Sequence, residues 1–92
     1  MIRSFRSKAL RRFAQTGDAS KLSVQNADRV RRILIQLDEA EAPEEMNVSG
    51  WRFHQLKGRD MGRFSVWVTG NYRVTFGWNG VDAVDVDLED YH

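Results

Sequence analysis

The sequence predicts an α+β fold: a short N-terminal strand, then two helices packed on one face of a small, mainly antiparallel sheet. Three observations predict it. Residues from Arg63 onward alternate apolar and polar in runs separated by Gly-Asn and Asn-Gly. Between residues 24 and 37 the apolar positions recur at helical spacing. Ninety-two residues with 41% hydrophobic content suit one domain over residues 1–92 and leave little room for a second core.

Taken in order, Met1 to Phe5 reads as the first strand. A helix is expected from about Ser7 to Thr16, with Ala9, Leu10, Phe13 and Ala14 on one face and Gly17 closing its end. Ser23 is placed to cap the second helix, whose stripe is Val24, Ala27, Val30, Ile33, Leu34 and Leu37. That helix fades in the acidic stretch Asp38 to Glu45, where Pro43 stops it. An extended segment, Trp51 to Lys57, turns at Gly58. Strands follow over Arg63 to Thr69, Tyr72 to Trp78, and Asp82 to about Tyr91, with turns at Gly70-Asn71 and Asn79-Gly80.

Parity assigns the faces. Phe64, Val66, Val68, Tyr72, Val74, Phe76, Trp78, Val84, Val86 and Leu88 are all even-numbered and are expected on the buried side. A two-residue loop at Asn79-Gly80 would set Asp85 against Val74, so a three-residue or bulged loop is expected, pairing Phe76 with Val84 and Val74 with Val86. The odd-numbered face then displays Ser65, Trp67, Arg73, Thr75, Asp85, Asp87, Glu89 and Tyr91, and is expected to be open.

Composition narrows the function classes. The absence of cysteine excludes a disulfide framework and a thiolate zinc site, and fits a reducing cytoplasm. Arg3, Arg6, Lys8, Arg11 and Arg12 have no apolar stretch behind them, so they are not read as a signal peptide; no run is long enough to cross a bilayer, and no membrane partner is expected. Charge is uneven along the chain. Residues 1–32 hold nine Lys/Arg against two Asp, a balance of +7; residues 33–92 hold five against eleven acids, a balance of −6. The basic third suggests a polyanion partner, with solvated helix faces as the plainer reading.

The chain spends its two histidines, His54 and His92, beside Lys57, Arg73 and Tyr91 on or near the odd face. Cleaving RNA without metal needs a base for the 2′-hydroxyl, an acid for the leaving 5′-oxygen, cations for the phosphorane, and a group to hold the nucleotide in line. His54 and His92 suit proton transfer, Lys57 and Arg73 suit phosphoryl oxygens, and Tyr91 or Trp67 can stack on a base. Each has a structural alternative. His54 shares parity with Leu56 and could be half-buried, Arg73 is expected opposite Asp87 as an ion pair, and Trp67 could stack on Arg73. The alternating acids Asp85, Asp87 and Glu89 raise a divalent-metal site as a rival, but Arg73 intrudes among them and no compact metal-loop motif is present, so no metal or cofactor is expected.

Several stretches resemble the HigB group of RelE-like toxins along the whole chain. These are Met1-Ile2-Arg3-Ser4-Phe5 with Lys8, Leu37-Asp38-Glu39-Ala40, Asn47 through Trp51-Arg52-Phe53-His54-Gln55-Leu56-Lys57-Gly58, Asn71 to Phe76, and Asp90-Tyr91-His92. The resemblance implies a type II toxin that acts as a ribosome-dependent mRNA endonuclease, entering the 30S A site and cutting the exposed codon by metal-independent 2′-hydroxyl attack. It implies a HigA-like helix-turn-helix antitoxin as partner, with operator DNA engaged only through that antitoxin. By position, His54, Lys57, Arg73, Asp90, Tyr91 and His92 fall on residues such toxins use for cleavage. Arg6, Lys8, Arg11, Arg12, Arg29, Arg31, Arg32, Arg59 and Trp67 are the expected contacts to ribosome and RNA. Two departures from the family pattern stand out: Trp67 where many relatives carry a basic residue, and Ser49 where proline is common before Gly50. The competing reading is a non-catalytic module of the same fold, retained as an antitoxin-binding corepressor subunit.

Overall fold

Alternation and turn chemistry build the sheet where they are expected. The computed structural model describes residues 1–91 and contains helices α1 (Lys8–Thr16) and α2 (Ala27–Glu39). Four strands follow: β1 (His54–Gln55), β2 (Arg63–Thr69), β3 (Tyr72–Asn79) and β4 (Asp82–Asp90). They form an antiparallel sheet in the order β1-β2-β3-β4. The expected N-terminal strand is present as two parallel bridges on the outer edge of β4, Ile2 with Ala83 and Phe5 with Val86. The amides of Arg3 and Arg6 donate to the Ala83 and Val86 carbonyls, each at 2.8 Å.

Both helices cover one face of this sheet. Ser7 caps α1 by accepting from the Leu10 amide, and Gly17 closes it in a left-handed conformation. The cap of α2 differs from the expectation. Asn26, not Ser23, accepts from the Arg29 amide at 3.1 Å, and the helix starts at Ala27. Asn caps as well as Ser, and Val24 is buried ahead of the helix rather than on its stripe. Val30, Ile33, Leu34 and Leu37 do form the buried face of α2. They meet Leu10, Phe13, Val66, Val68, Val74, Phe76 and Val86 in one core. The helix ends at Glu39, and Pro43 opens a short 3₁₀ turn, Pro43–Met46, that buries Met46.

The register of β4 departs from the expected one. The β3–β4 hairpin closes with the two-residue loop Gly80-Val81, Asn79 facing Asp82. Gly80 has φ 66°, the positive value that the first central residue of a type II′ turn requires. The extra residue lies further along, in β4 itself. Gly77 faces Val84, but Thr75 faces Asp87, so Phe76 is opposed by both Asp85 and Val86. Ala83 therefore takes the buried place expected of Val84, and Val74 faces Leu88 rather than Val86. Downstream of the bulge, Val86 is fully buried as expected.

Asp85 occupies the bulge at φ 51°, and its neighbours hold it there. Its amide donates to Ser4 Oγ at 2.8 Å, the Val86 amide donates to the Ser4 carbonyl at 3.0 Å, and Arg63 Nη2 donates to the Asp85 carbonyl at 2.9 Å. Arg63 faces Gly77 across the ladder. A Cβ on Gly77 would stand 3.3 Å from Val84 Cγ2 and 3.7 Å from Arg63 Nη1, so the missing side chain is the space the bulge and the guanidinium use.

The Gly77→Ala protein should accordingly lose about 1–3 kcal/mol of unfolding free energy in a urea titration, the range for overfilling a packed site. Relief of glycine's unfolded-state entropy works in the opposite direction, by about 0.4–1 kcal/mol, and should not offset it.

Candidate active site

The face away from the helices is roofed at its centre by polar side chains rather than left open. Ser65 and Thr75 are both 0% exposed. Arg63 Nη2 donates to Thr75 Oγ1 at 3.1 Å, and Thr75 Oγ1 donates to Glu89 Oε2 at 2.5 Å. The Tyr91 hydroxyl points to the same Glu89 oxygen at 3.5 Å. This chain from β2 through β3 to the end of β4 holds the tyrosine. The Tyr91 amide, donating to the Asn71 carbonyl at 2.8 Å, continues the pairing past β4.

Arg73 completes that cluster. It faces Trp67 on one side and Glu89 on the other in the ladder, not Asp87. Its guanidinium lies 5.2 Å from the centre of the Tyr91 ring. Burial pushes the Tyr91 phenol above its ordinary pKa; the charges of Glu89 and Asp60 push the same way and Arg73 opposes them. Tyr91 is thus a protonated donor at neutral pH, not a base.

His54 lies on the same face, opposite Ser65, and is exposed rather than half-buried. The extended segment around it is shorter than expected. Only His54 and Gln55 pair in the ladder, because Arg52 just before them adopts φ 49° and leaves the strand conformation. Lys57 is exposed at the head of the 58–60 turn, with Arg59 inside it. Asp90 faces Tyr72, so it alternates away from Glu89 onto the helix side of the ladder. His92 lies outside the described residues.

Trp67 does not stack on Arg73. Its ring is approached by Arg52 at 4.6 Å and by Arg29, from the first turn of α2, at 5.1 Å. The other basic residues divide into two groups. Arg12 is tied to Asp18 at 2.7 Å, while Arg31 and Arg32 both reach Asp28, at 2.9 and 2.6 Å. The Arg32 guanidinium holds Asp28 below the usual carboxylate range. Lys8, Arg11 and Arg12 line a groove along α1 with Lys21, and Arg6 is exposed. These positions lie on or near the helices, away from the Tyr91 cluster.

Sequence reasoning missed Arg63, Thr75 and Glu89 as site residues, along with Arg52. Parity put Thr75 and Glu89 on this face, but which side chains meet depends on the bulge. The carboxylates do not form the metal-binding row considered above: Asp85 is displaced by the bulge and Glu89 is engaged by Thr75 and Tyr91. Among the described residues no three His, Cys, Asp or Glu side chains converge as a metal site. No helix among them is long and apolar enough to cross a membrane.

The model of the HigB-like toxin family, described as the RelE-like toxin of type II toxin–antitoxin system HigB, matches residues 3–92. The chain belongs to this family. It is also 36% identical to the Endoribonuclease HigB of Proteus vulgaris, over all 92 residues and the full length of both proteins. The architecture, with two helices on a four-stranded antiparallel sheet, is consistent with the RelE-like α+β fold. Membership in a type II HigB family implies an antitoxin partner.

Ser65 Oγ, buried between His54 and Thr75 in the ladder, has no hydrogen-bond partner among the described residues. Ser65→Ala should therefore raise the unfolding free energy, by about 1 kcal/mol, because it removes a desolvated hydroxyl. Thr75→Val should lower it by about 1–3 kcal/mol, since Arg63 and Glu89 each lose one of their partners. Paired chemical denaturation curves of the two variants check the sign of each.

Proposed function

We propose that this toxin is a ribosome-dependent mRNA endonuclease that cuts the codon in the 30S A site and thereby arrests translation. The observation that carries the reading is the meeting of Arg73, Tyr91 and Glu89 on the same sheet face as the exposed His54, with Lys57 exposed three residues further along the chain. The Proteus vulgaris relative, named as an endoribonuclease, supports the reaction class.

In the mechanism we propose, no metal takes part. His54 takes the proton from the 2′-hydroxyl, the oxygen attacks the adjacent phosphorus, and His92 protonates the departing 5′-oxygen. The products are a 2′,3′-cyclic phosphate, which can open to a 3′-phosphate, and a 5′-hydroxyl. Arg73 and Lys57 offset the charge that grows on the phosphoryl oxygens, while Asp90, an anion near the end of β4, is assigned to supporting the histidine proton transfers and not to the phosphate. Tyr91, kept protonated by burial first and by the charge of Glu89 second, supplies an aromatic edge against which the nucleotide is aligned. Arg6, Lys8, Arg11, Arg12, Arg31 and Arg32 contact ribosomal RNA from the helix side. The partner is a HigA-like helix-turn-helix antitoxin, through which alone the complex meets operator DNA, and the toxin acts in the cytoplasm.

Induced expression should stop growth and produce cuts within coding regions of translated mRNA. His54→Ala and Arg73→Ala should each slow cleavage by about 10²–10⁴-fold on programmed ribosomes. His54 is exposed, so its variant should melt with the parent. His92→Ala should match the loss at His54 if the two share the proton transfers. Uncut mRNA together with retained antitoxin binding would instead favour the non-catalytic corepressor module. Efficient cutting of naked RNA would remove the ribosome from the mechanism.

A further inference from the structure

We propose that Arg29, Trp67 and Arg52 form a phosphate clamp for the RNA strand, separate from the groups assigned to the scissile bond. The inference rests on the endoribonuclease reading above and adds a binding subsite to it. Trp67 is the fixed part. Its indole Nε1 donates to the Gly70 carbonyl at 3.0 Å, and its amide donates to the Trp51 carbonyl at 2.7 Å. Two guanidiniums from different parts of the chain then converge on this one ring, Arg52 at 4.6 Å and Arg29 at 5.1 Å.

Their electrostatic situation differs from that of four other arginines in the chain. Arg3, Arg12, Arg31 and Arg32 each reach an aspartate. Among the described residues, neither Arg29 nor Arg52 has a carboxylate within ion-pair distance. Arg29 has a long contact, 3.5 Å, from Nη1 to the Gly50 carbonyl. Two like charges gathered at one ring repel each other, and an anion between or beside them relieves that repulsion. The backbone adds a cost of its own. Arg52 holds φ 49°, a left-handed conformation that a non-glycine residue adopts at about 1–2 kcal/mol. Strain of this kind collects where a side chain must be aimed.

The ring's π surface already serves the arginines, so Trp67 presents two cations rather than stacking on a base. Guanidinium geometry matches phosphate oxygens bidentately. The location selects a repeating polyanion over a single carboxylate. Trp67 faces Arg73 directly in the ladder, so the strand that carries the clamp's ring neighbours the one that carries the cation at Tyr91, their backbones about 4.8 Å apart. One nucleic-acid strand lying across the sheet meets both.

The test uses programmed ribosomes carrying an mRNA with 2′-O-methyl riboses in the A-site codon, which cannot be attacked, and follows toxin binding against potassium chloride. Arg52→Gly removes the guanidinium and relaxes the left-handed backbone, so this variant should fold at least as stably as the parent. It and Arg29→Ala should each bind about three- to tenfold more weakly, with the slope of log affinity against log salt shallower by about 0.7, one single-strand phosphate contact. Arg52→Lys and Trp67→Phe should keep most of the slope. Weaker binding of Trp67→Ala at unchanged slope, with silent arginine variants, would mean base stacking and overturn the clamp alone. No binding by the parent toxin would overturn the functional reading and the clamp with it.

Discussion

One inserted residue in β4 decides which face of the sheet every later side chain occupies. Asp85 shares the place opposite Phe76 with Val86, so the alternation restarts one residue late. Without it, Val86 and Leu88 would turn out of the core and Asp87, Glu89 and Tyr91 would turn into it, since a one-residue slip exchanges the faces. The bulge is held from both sides. The Ser4 hydroxyl and carbonyl satisfy the Asp85 and Val86 amides, and Arg63 crosses the bare Gly77 to reach the Asp85 carbonyl. The N-terminal segment is therefore a brace for the bulge as well as an edge strand.

Arg63 links that constraint to the candidate site. The same Nη2 that binds the bulge carbonyl also donates to Thr75, which donates to Glu89, which faces the Tyr91 hydroxyl. Backbone register and side-chain placement are thus joined through one guanidinium. Thr75 can be fully buried on the face away from the helices because both its neighbours are charged groups that satisfy its hydroxyl.

The arginines are partnered in two ways. Arg3, Arg12, Arg31 and Arg32 lie against aspartates, and Asp28 and Asp82 sit below the usual carboxylate range beside Arg32 and Arg3. On the face away from the helices, Arg29 and Arg52 lie against Trp67 and Arg73 against Tyr91. Aromatic rings orient a guanidinium without neutralising it. That face keeps its positive charge available to an anionic strand while the small fold stays nearly neutral overall, at +1.

Most of the architecture was legible in the residues. Alternation located β2 and most of β3, Ser7 and Gly17 bounded α1, and Val30, Ile33, Leu34 and Leu37 marked the buried face of α2, because each signal acts within a few residues of chain. Parity also required an extra residue, but it was expected in the loop at Asn79-Gly80, whereas the structure holds it inside β4 at Asp85. Its position depends on Ser4, Gly77 and Arg63, which come from three separate segments. The motif positions His54, Arg73 and Tyr91 were likewise readable by type and spacing. Which arginine lies on which ring was not. Parity placed Trp67 beside Arg73, yet Arg29 enters from a helix some forty residues earlier and Arg52 from a left-handed turn, and only the packed chain brings them to the indole. Local chemistry determined the elements; contacts between segments distant in sequence decided the faces and the site.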